Sequence, residues 1–354
     1  AGVWNRISTS VRLGRGGATT FRTVTSHCCP TCSPGPDRIL DHERGIVRVP
    51  RGFRGPPNSM HRGAAAGMVA CLGDAHLAGP TVRFNVRLHG PPPLETDLPY
   101  VVEADDGGPC LTFRIGEGEN TVLSGWAATS CDEPVVPADT VAELAAHAML
   151  GDAGQNRFAG HVQPEDEEFS ECFGCGTGNE VGLRLKTRPI NDRQAWIEWK
   201  PDSRWIDNGM ISTSPAIAAL DCTSAMPLQH LGFMEEQETS LLGTYDGQIH
   251  RRPPVRPDDK YRIVTSPRRR DGRRVYADIG LFDPEDARSH HQHQLGGRAN
   301  HGTDVRALLR QQVGGRGPDR DACHRGCDLR HPGQSDRARR RRHADPGQDR
   351  RPGS

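Results

Sequence analysis

The chain has 354 residues, of which 34% are hydrophobic and 5% aromatic, with 41 Gly and 28 Pro: enough length for two ordinary domains, too little apolar content for one large core. Lys+Arg and Asp+Glu both number 45, so net charge selects no class of partner. Eleven cysteines in so long a chain are not a disulfide scaffold, no apolar run reaches membrane-spanning length, and the N-terminus lacks a signal-peptide core. The expectation is a cytoplasmic protein with no membrane partner.

Residues 1–42 contain "SHCCPTCSPGP" and little apolar periodicity, which predicts a disordered or irregular extension. Cys28, Cys29 and Cys32 have no second ligand pair at zinc-finger spacing, so no metal is assigned to them. A first unit is expected over 43–130. In it "GIVRV" reads as a strand, "FRGPPNSM" as a loop and 61–72 as a helix of small residues. "TVRFNVRLHG" (81–90) alternates as a strand with Val82, Phe84, Val86 and Leu88 on one face. "PYVVEADDG", "CLTFRIGEGE" and "TVLSGWAA" continue an antiparallel series.

Residues 131–170 read as a linker whose segment "VPADTVAELAAHAML" (136–150) is a helix, with Asp139 or Thr140 near its start. A second unit is expected over 171–286. It opens with "ECFGCGTGNEVGLRLKTRP", then the strand "AWIEWKP" (195–201) and the helix "SPAIAALDCTSAM" (214–226). Strands are predicted at "SLLGTYDGQIH", "DDKYRIVTSP" and "RRVYADIGLF". Both units run strand, loop, small-residue helix, antiparallel strands, and "GPPPLETDL" (90–98) parallels "RRPPVRPDD" (251–259). Internal duplication is the economical explanation.

The tail, 287–354, lacks Phe, Trp, Tyr, Ile, Met, Lys and Glu and is rich in Arg, which predicts disorder. One reading is a basic arm for nucleic acid. The other, which the composition favours, is out-of-frame translation of GC-rich DNA, so nucleic acid is not the expected partner. The codons of His290, His291, Gln292, His293 and Gln294, shifted by one nucleotide, encode Ile/Thr and Asn/Ser, and 287–300 then reads as a β-strand.

The chain resembles the hotdog-fold acyl-CoA thioesterase superfamily, in a tandem double-hotdog form of actinobacterial type. The resemblance rests on "FRGPPNSMHRGAAAGMVA" (53–70), similar to that family's loop and His-Gly-Gly helix start, and on "ECFGCGTGNEVGLRL" followed by "WKPDSRW" and "AIAALDC". It covers about 43–286. It implies an α+β fold in which an antiparallel sheet wraps a central helix, and two such units pair as an intramolecular pseudo-dimer with the active site between them. It also implies hydrolysis of an acyl-CoA-like thioester without a cofactor, and a homodimer of the double unit as the candidate assembly.

Thioester hydrolysis needs N–H donors to polarise the carbonyl and a carboxylate to activate water. The first amides of a helix are unpaired donors, and Gly63 lets an acyl group approach them closely. In the family the carboxylate lies about two turns after the glycine. Counted from His61, that position is Ala70; in the matching frame from Ser212, with Thr213 and Ser214 in the glycine positions, it is Asp221. Seven helical residues span about 10.5 Å, so one helix cannot bring both groups to one carbonyl. Gly63 of one unit must meet Asp221 of the other. The reciprocal site, Ser214 with Ala70, has no acid, and Pro215 has no N–H.

The expected catalytic residues are therefore Asp221, Gly63 and His61. Arg62, which replaces a family glycine, Ala64 and Asn58 are expected at the substrate carbonyl, and Thr244 at the water. Arg251, Arg252 and "PRRRDGRR" (267–274) are candidates for the phosphates of coenzyme A. Cys172 and Cys175 form a C-x-x-C with no second pair and read as a turn into the second unit; no metal is assigned. Two other functions fit the same residues: a non-catalytic acyl-CoA-binding or scaffold protein, and an enoyl-thioester hydratase or dehydratase. The hydratase requires the His61 imidazole turned inward beside Asp221; the hydrolase requires only Gly63 and Asp221.

Overall fold

A computed structural model of the protein describes residues 38–41, 44–77, 79–104, 109–130, 134–149, 169–186, 188–189, 193–235, 242–250, 255 and 260–283, and the backbone of three further strands at 7–9, 22–24 and 307–313. Before the first helix come β1 (Ile7–Thr9), β2 (Arg22–Val24), β3 (Leu40–Asp41) and β4 (Ile46–Arg48). Helix α1 (Arg62–His76) is followed by β5 (Arg83–Leu88), β6 (Asp97–Ala104), β7 (Cys110–Ile115) and β8 (Leu123–Ala128). Helix α2 (Ala138–Met149) leads to β9 (Arg188–Pro189), β10 (Ala195–Trp199), β11 (Ile206–Asp207) and β12 (Met210–Ile211). Last come α3 (Thr213–Ala225), β13 (Leu242–Ile249), β14 (Tyr261–Asp271), β15 (Arg274–Phe282) and β16 (Ala307–Val313).

The fold is α+β. Twelve strands form one antiparallel sheet in the order β3-β4-β6-β7-β8-β5-β13-β16-β15-β14-β10-β9. The middle of that order is the join between the two halves of the sequence: β5 pairs with β13, Tyr245 opposite Val86 and Gly247 opposite Phe84. An Arg83–Asp246 ion pair at 2.8 Å and stacked Phe84 and Tyr245 rings fasten the seam. Helix α1 packs on β5, β7 and β8, helix α3 on β10, β14, β15 and β16, and α1 and α3 pack on each other. Helix α2 covers β14 and β15 through Val141, Leu144, Ala145 and Ala148.

The sequence of α1, RGAAAGMVACLGDAH, explains its position. Its residues from Gly63 to Gly73 are buried all round, as expected of a helix apolar on every face and lying between a sheet and a second helix. The helix ends where Leu77, in extended conformation, donates its N–H to the Gly73 carbonyl, with His76 in the last turn facing the negative end of the dipole. Glycines set how closely α1 and α3 approach. A Cβ on Gly67 would strike the Ser214 carbonyl oxygen and lie 2.7 Å from its Cα; one on Gly63 would lie 3.0 Å from Ala218 Cα. Placing the N-cap His61 on the N-cap Ser212 carries Gly63 onto Ser214 and Gly67 onto Ala218, so these two contacts exchange under the duplication.

Three expectations are corrected. The extension 1–42 includes the paired strands β1 and β2, and its end belongs to the body: Ile39 and Leu40 are buried and β3 pairs with β4. Two adjacent aliphatic residues have burial available there, which the composition of the whole segment conceals. The tail 287–354 includes β16, whose backbone pairs with both β13 and β15. Without it the facing edges of those strands would present unpaired N–H and C=O groups inside the sheet. The rest of the tail, including the shifted-frame strand at 287–300, lies outside the described residues. Finally, α1 runs four residues past the predicted end, to His76. Among the described residues no helix is long and apolar enough to cross a membrane.

The expected effect of Gly67→Ala is a loss of about 1–3 kcal/mol of stability, the usual penalty for overpacking. Gly90→Ala, where nothing lies within 4 Å of the added methyl, should stay within about 0.5 kcal/mol of wild type. Urea unfolding of the two variants measures both.

Candidate active site

The loop before α1 is folded back on itself. His61 N–H donates to the Phe53 carbonyl (2.7 Å) and Gly55 N–H to Ser59 (2.9 Å), with Asn58 in the left-handed region at φ 61°. His61 is the N-cap: its Nδ1 accepts from the Ala64 N–H at 3.1 Å. Because Nδ1 accepts, the ring proton of the neutral imidazole lies on Nε2. The ring is turned inward, only 2% exposed, with Nε2 3.2 Å from Cys222 Sγ and 3.6 Å from Asp221 Oδ2.

Across the helix pair, Gly63 N–H donates to Asp221 Oδ2 at 2.7 Å. The acid of α3 therefore sits on the first turn of α1, where unpaired amides and the positive end of the dipole favour an anion. A Cβ on Gly63 would lie 2.5 Å from Asp221 Cβ, so only glycine permits this approach. Asp221 is 7% exposed. Burial pushes its carboxyl above the usual carboxylate range, opposed by His61, the Gly63 amide and Arg62. For His61, burial acts to lower the pKa, but Cys172 and Asp221 outweigh it and the imidazole is held above its ordinary value. Arg62, at the helix mouth, is lowered by burial against the pull of Asp221.

The predicted residues divide clearly. His61 and Gly63 meet Asp221 at the helix mouth, Arg62 lies within its electrostatic reach, and the Ala64 N–H is taken by His61 Nδ1. Asn58 is exposed on its turn, in the left-handed region. Thr244 is partly buried on β13, beside Tyr245. Strand residues alternate between faces, and it is Tyr245 that is fully buried against α3, its hydroxyl donating to the Ile217 carbonyl at 2.9 Å. Burial, Asp221 and Cys222 hold the Tyr245 phenol well above its ordinary value.

Arg251 and Arg252 lie outside the described residues. In "PRRRDGRR", Arg268 bonds Asp278 (2.9 Å) and Glu143 (3.0 Å), Arg270 bonds the Phe233 carbonyl, and Arg269 lies over the Tyr276 ring. These three side chains have partners within the fold. At the reciprocal helix mouth the sequence reading missed Asp74. It lies one turn beyond Ala70 and accepts from Thr213 Oγ1 and the Thr81 N–H, both at 2.7 Å. An alignment by frame alone looks only at Ala70.

The loop 169–185 closes over this site. Phe173 N–H donates to the Arg54 carbonyl, and the Phe173 carbonyl accepts from Leu183. Phe173 packs its ring against His61, Phe53 and Trp205. Outside this aromatic layer is a cavity of about 540 Å³ lined by Gly52, Phe53, Val181, Asp202, Ser203, Arg204 and Trp205. The Trp205 indole N–H is buried with no hydrogen-bond partner among the described residues.

Solved hotdog-fold structures are similar to the chain over most of its length. A tesB protein of Mycobacterium avium subsp. paratuberculosis is 14% identical, with 76% of this chain and 94% of that one covered and a TM-score of 0.43. An acyl-CoA thioesterase II of Mycobacterium marinum is 13% identical over 80% and 96%, with a TM-score of 0.46. A hotdog-fold protein of unknown function from Alicyclobacillus acidocaldarius is 10% identical over 77% and 93%, with a TM-score of 0.47. No family model matches the chain, and no curated protein sequence matches it. At these identities the chemistry must be read from the residues of the site.

Asp221→Ala leaves the Gly63 N–H buried without its acceptor, for an expected loss of about 1–3 kcal/mol. Asp221→Asn keeps an oxygen there and should lose less. Thermal unfolding of the two variants side by side gives the comparison.

Proposed function

We propose that the chain is a thioester hydrolase of two tandem hotdog units, 43–130 and 171–286 joined by 131–170, acting as an intramolecular pseudo-dimer on an acyl-CoA-like substrate. One observation carries this reading: the 2.7 Å hydrogen bond from Gly63 N–H of one half to the Asp221 carboxylate of the other. It supports a composite site in which a helix mouth and an acid, neither sufficient alone, meet at one point.

In the proposed reaction the substrate carbonyl oxygen takes the Gly63 N–H from Asp221. The released carboxylate accepts a proton from water as the hydroxide adds to the carbonyl carbon. The Gly63 N–H then holds the oxyanion of the tetrahedral intermediate, at the positive end of α1 and beside Arg62. Collapse breaks the carbon–sulfur bond, and the departing thiolate takes the proton back from Asp221. The cavity lined by Phe53 and Trp205 supports an approach for substrate one aromatic layer from the helix mouth, and its volume lies within the range of small-molecule sites.

A second reading has its own observation. The His61 imidazole is turned inward, 3.6 Å from Asp221, which is the geometry an enoyl-thioester hydratase requires of its acid–base pair. Acyl-CoA and enoyl-CoA panels assayed with the same protein separate the two. Hydrolysis is the expected activity, with kcat/KM falling about 10²–10⁴-fold in Asp221→Asn. Hydration without hydrolysis, lost in both Asp221→Asn and His61→Asn, would replace this reading with the hydratase. Saturable acyl-CoA binding with neither activity would replace it with the non-catalytic binding protein.

A further inference from the structure

Next to Asp221, three side chains converge, with a fourth on the same turn, that the proposed hydrolysis does not require as a set. Cys172 and Cys175 come from the turn at the start of the second unit, Cys222 from α3, and His61 from the cap of α1. Cys172 Sγ is 3.8 Å from Cys222 Sγ, His61 Nε2 is 3.2 Å from Cys222 Sγ, and these three ligand atoms all lie within 4.8 Å of one another. Cys175, also buried, follows Cys172 by three residues on the same turn. All four residues are buried and the three cysteines are free thiols, whereas Cys110 is disulfide-bonded.

These separations are near those of three corners of a coordination tetrahedron. With metal–sulfur bonds of about 2.3 Å and metal–nitrogen bonds of about 2.0–2.1 Å, tetrahedral ligand atoms stand about 3.8 Å apart for two sulfurs and about 3.6 Å for sulfur and nitrogen. The turn is built to reach this point. A Cβ on Gly174 would collide with Cys222 Sγ and come within 2.7 Å of His61 Nε2, so only glycine lets the backbone lie against the cluster. A Cβ on Gly176 would lie 2.5 Å from the Ser170 carbonyl oxygen and 2.6 Å from that of Cys172, so the second glycine of "CFGCG" keeps the turn tight.

We propose that Cys172, Cys222 and His61, joined by Cys175 from the same turn as Cys172, bind one tetrahedral divalent ion of the zinc type, which pins the two halves of the chain together. Three thiolates and one imidazole, with no oxygen ligand, select zinc over magnesium or calcium. Binding releases one proton from each thiol to solvent, and the three sulfurs and Nε2 each donate a lone pair to the ion. The histidine must also change tautomer. Its proton leaves Nε2 for Nδ1, and the Ala64 N–H loses its acceptor. Bound in this way His61 is no longer an acid–base group, so the ion is compatible with hydrolysis at Asp221 and not with the hydratase.

The test is titration of the full chain, stripped with chelator, with Co²⁺ as the probe. Expected are one equivalent bound per chain, a thiolate-to-cobalt charge-transfer band of three-sulfur intensity with tetrahedral ligand-field bands, and displacement by Zn²⁺. This reading uses wild-type protein and needs no variant to fold. Cys172→Ser and Cys222→Ser should each weaken binding by at least the roughly 10–100-fold that outer-shell changes produce. His61→Asn, which preserves a capping side chain, should shift the ligand-field bands. Cys71→Ser and a triple serine variant at Cys28, Cys29 and Cys32 should leave the spectrum unchanged. No tetrahedral cobalt spectrum in wild type would overturn the site, as would a spectrum lost only in the triple variant. Bands unmoved in His61→Asn would overturn the four-residue assignment.

Discussion

Two helices made of small residues lie almost backbone to backbone, and the structure follows from that contact. Gly63 and Gly67 on α1 face Ala218 and Ser214 on α3 with no space for a side chain between them. Close approach brings the negative side chain of one helix within hydrogen-bond reach of the other's first amides, and the sheet can then run unbroken from one half to the other through β5 and β13. A single methyl at either glycine would act on the core, the seam and the site at once, because all three depend on the same separation.

The contact also determines the chemistry available. A carboxylate so deeply buried would be strongly disfavoured if it were alone. Asp221 is accompanied instead by an amide at a helix N-terminus, an imidazole and, at longer range, the Arg62 guanidinium, each favouring its charged form. A carbonyl oxygen that replaces the carboxylate at the amide inherits the same field, and charge developing on it in a transition state is stabilised without rearrangement of the protein. The sulfur cluster beside it has a different use. Thiolates bind metal more readily than they serve as bases in hydrolysis, and their position, tying loop, α1 and α3 together, suits a fastening.

Much of this was legible in the sequence. Strand alternation and small-residue runs located both helices and their strands, because burial on one face or on every face leaves a periodic record. The pairing of Gly63 with Asp221 followed from one frame and the length of a helix, since 10.5 Å is too far for one helix to supply both groups. Other features were hidden for identifiable reasons. Thr244 and Tyr245 are adjacent, and only sheet register decides which faces the helix. Asp74 is offset by one turn from the position a strict duplication predicts. The fourfold cluster assembles residues 50 and 161 positions apart, so the sequence displays only its C-x-x-C. Strand β16 lies in a segment whose overall composition reads as disorder, and seven residues suffice to fill a gap between two strands.

The most direct measurement is the Gly63 amide resonance in ¹⁵N-labelled protein, followed while a non-hydrolysable thioether analogue retaining the acyl ketone is added. If the carbonyl takes the place of Asp221, the Gly63 signal should move saturably with ligand, and in Asp221→Asn it should start from a different position and still respond. Saturable binding that shifts other residues and leaves Gly63 unmoved would contradict the composite site.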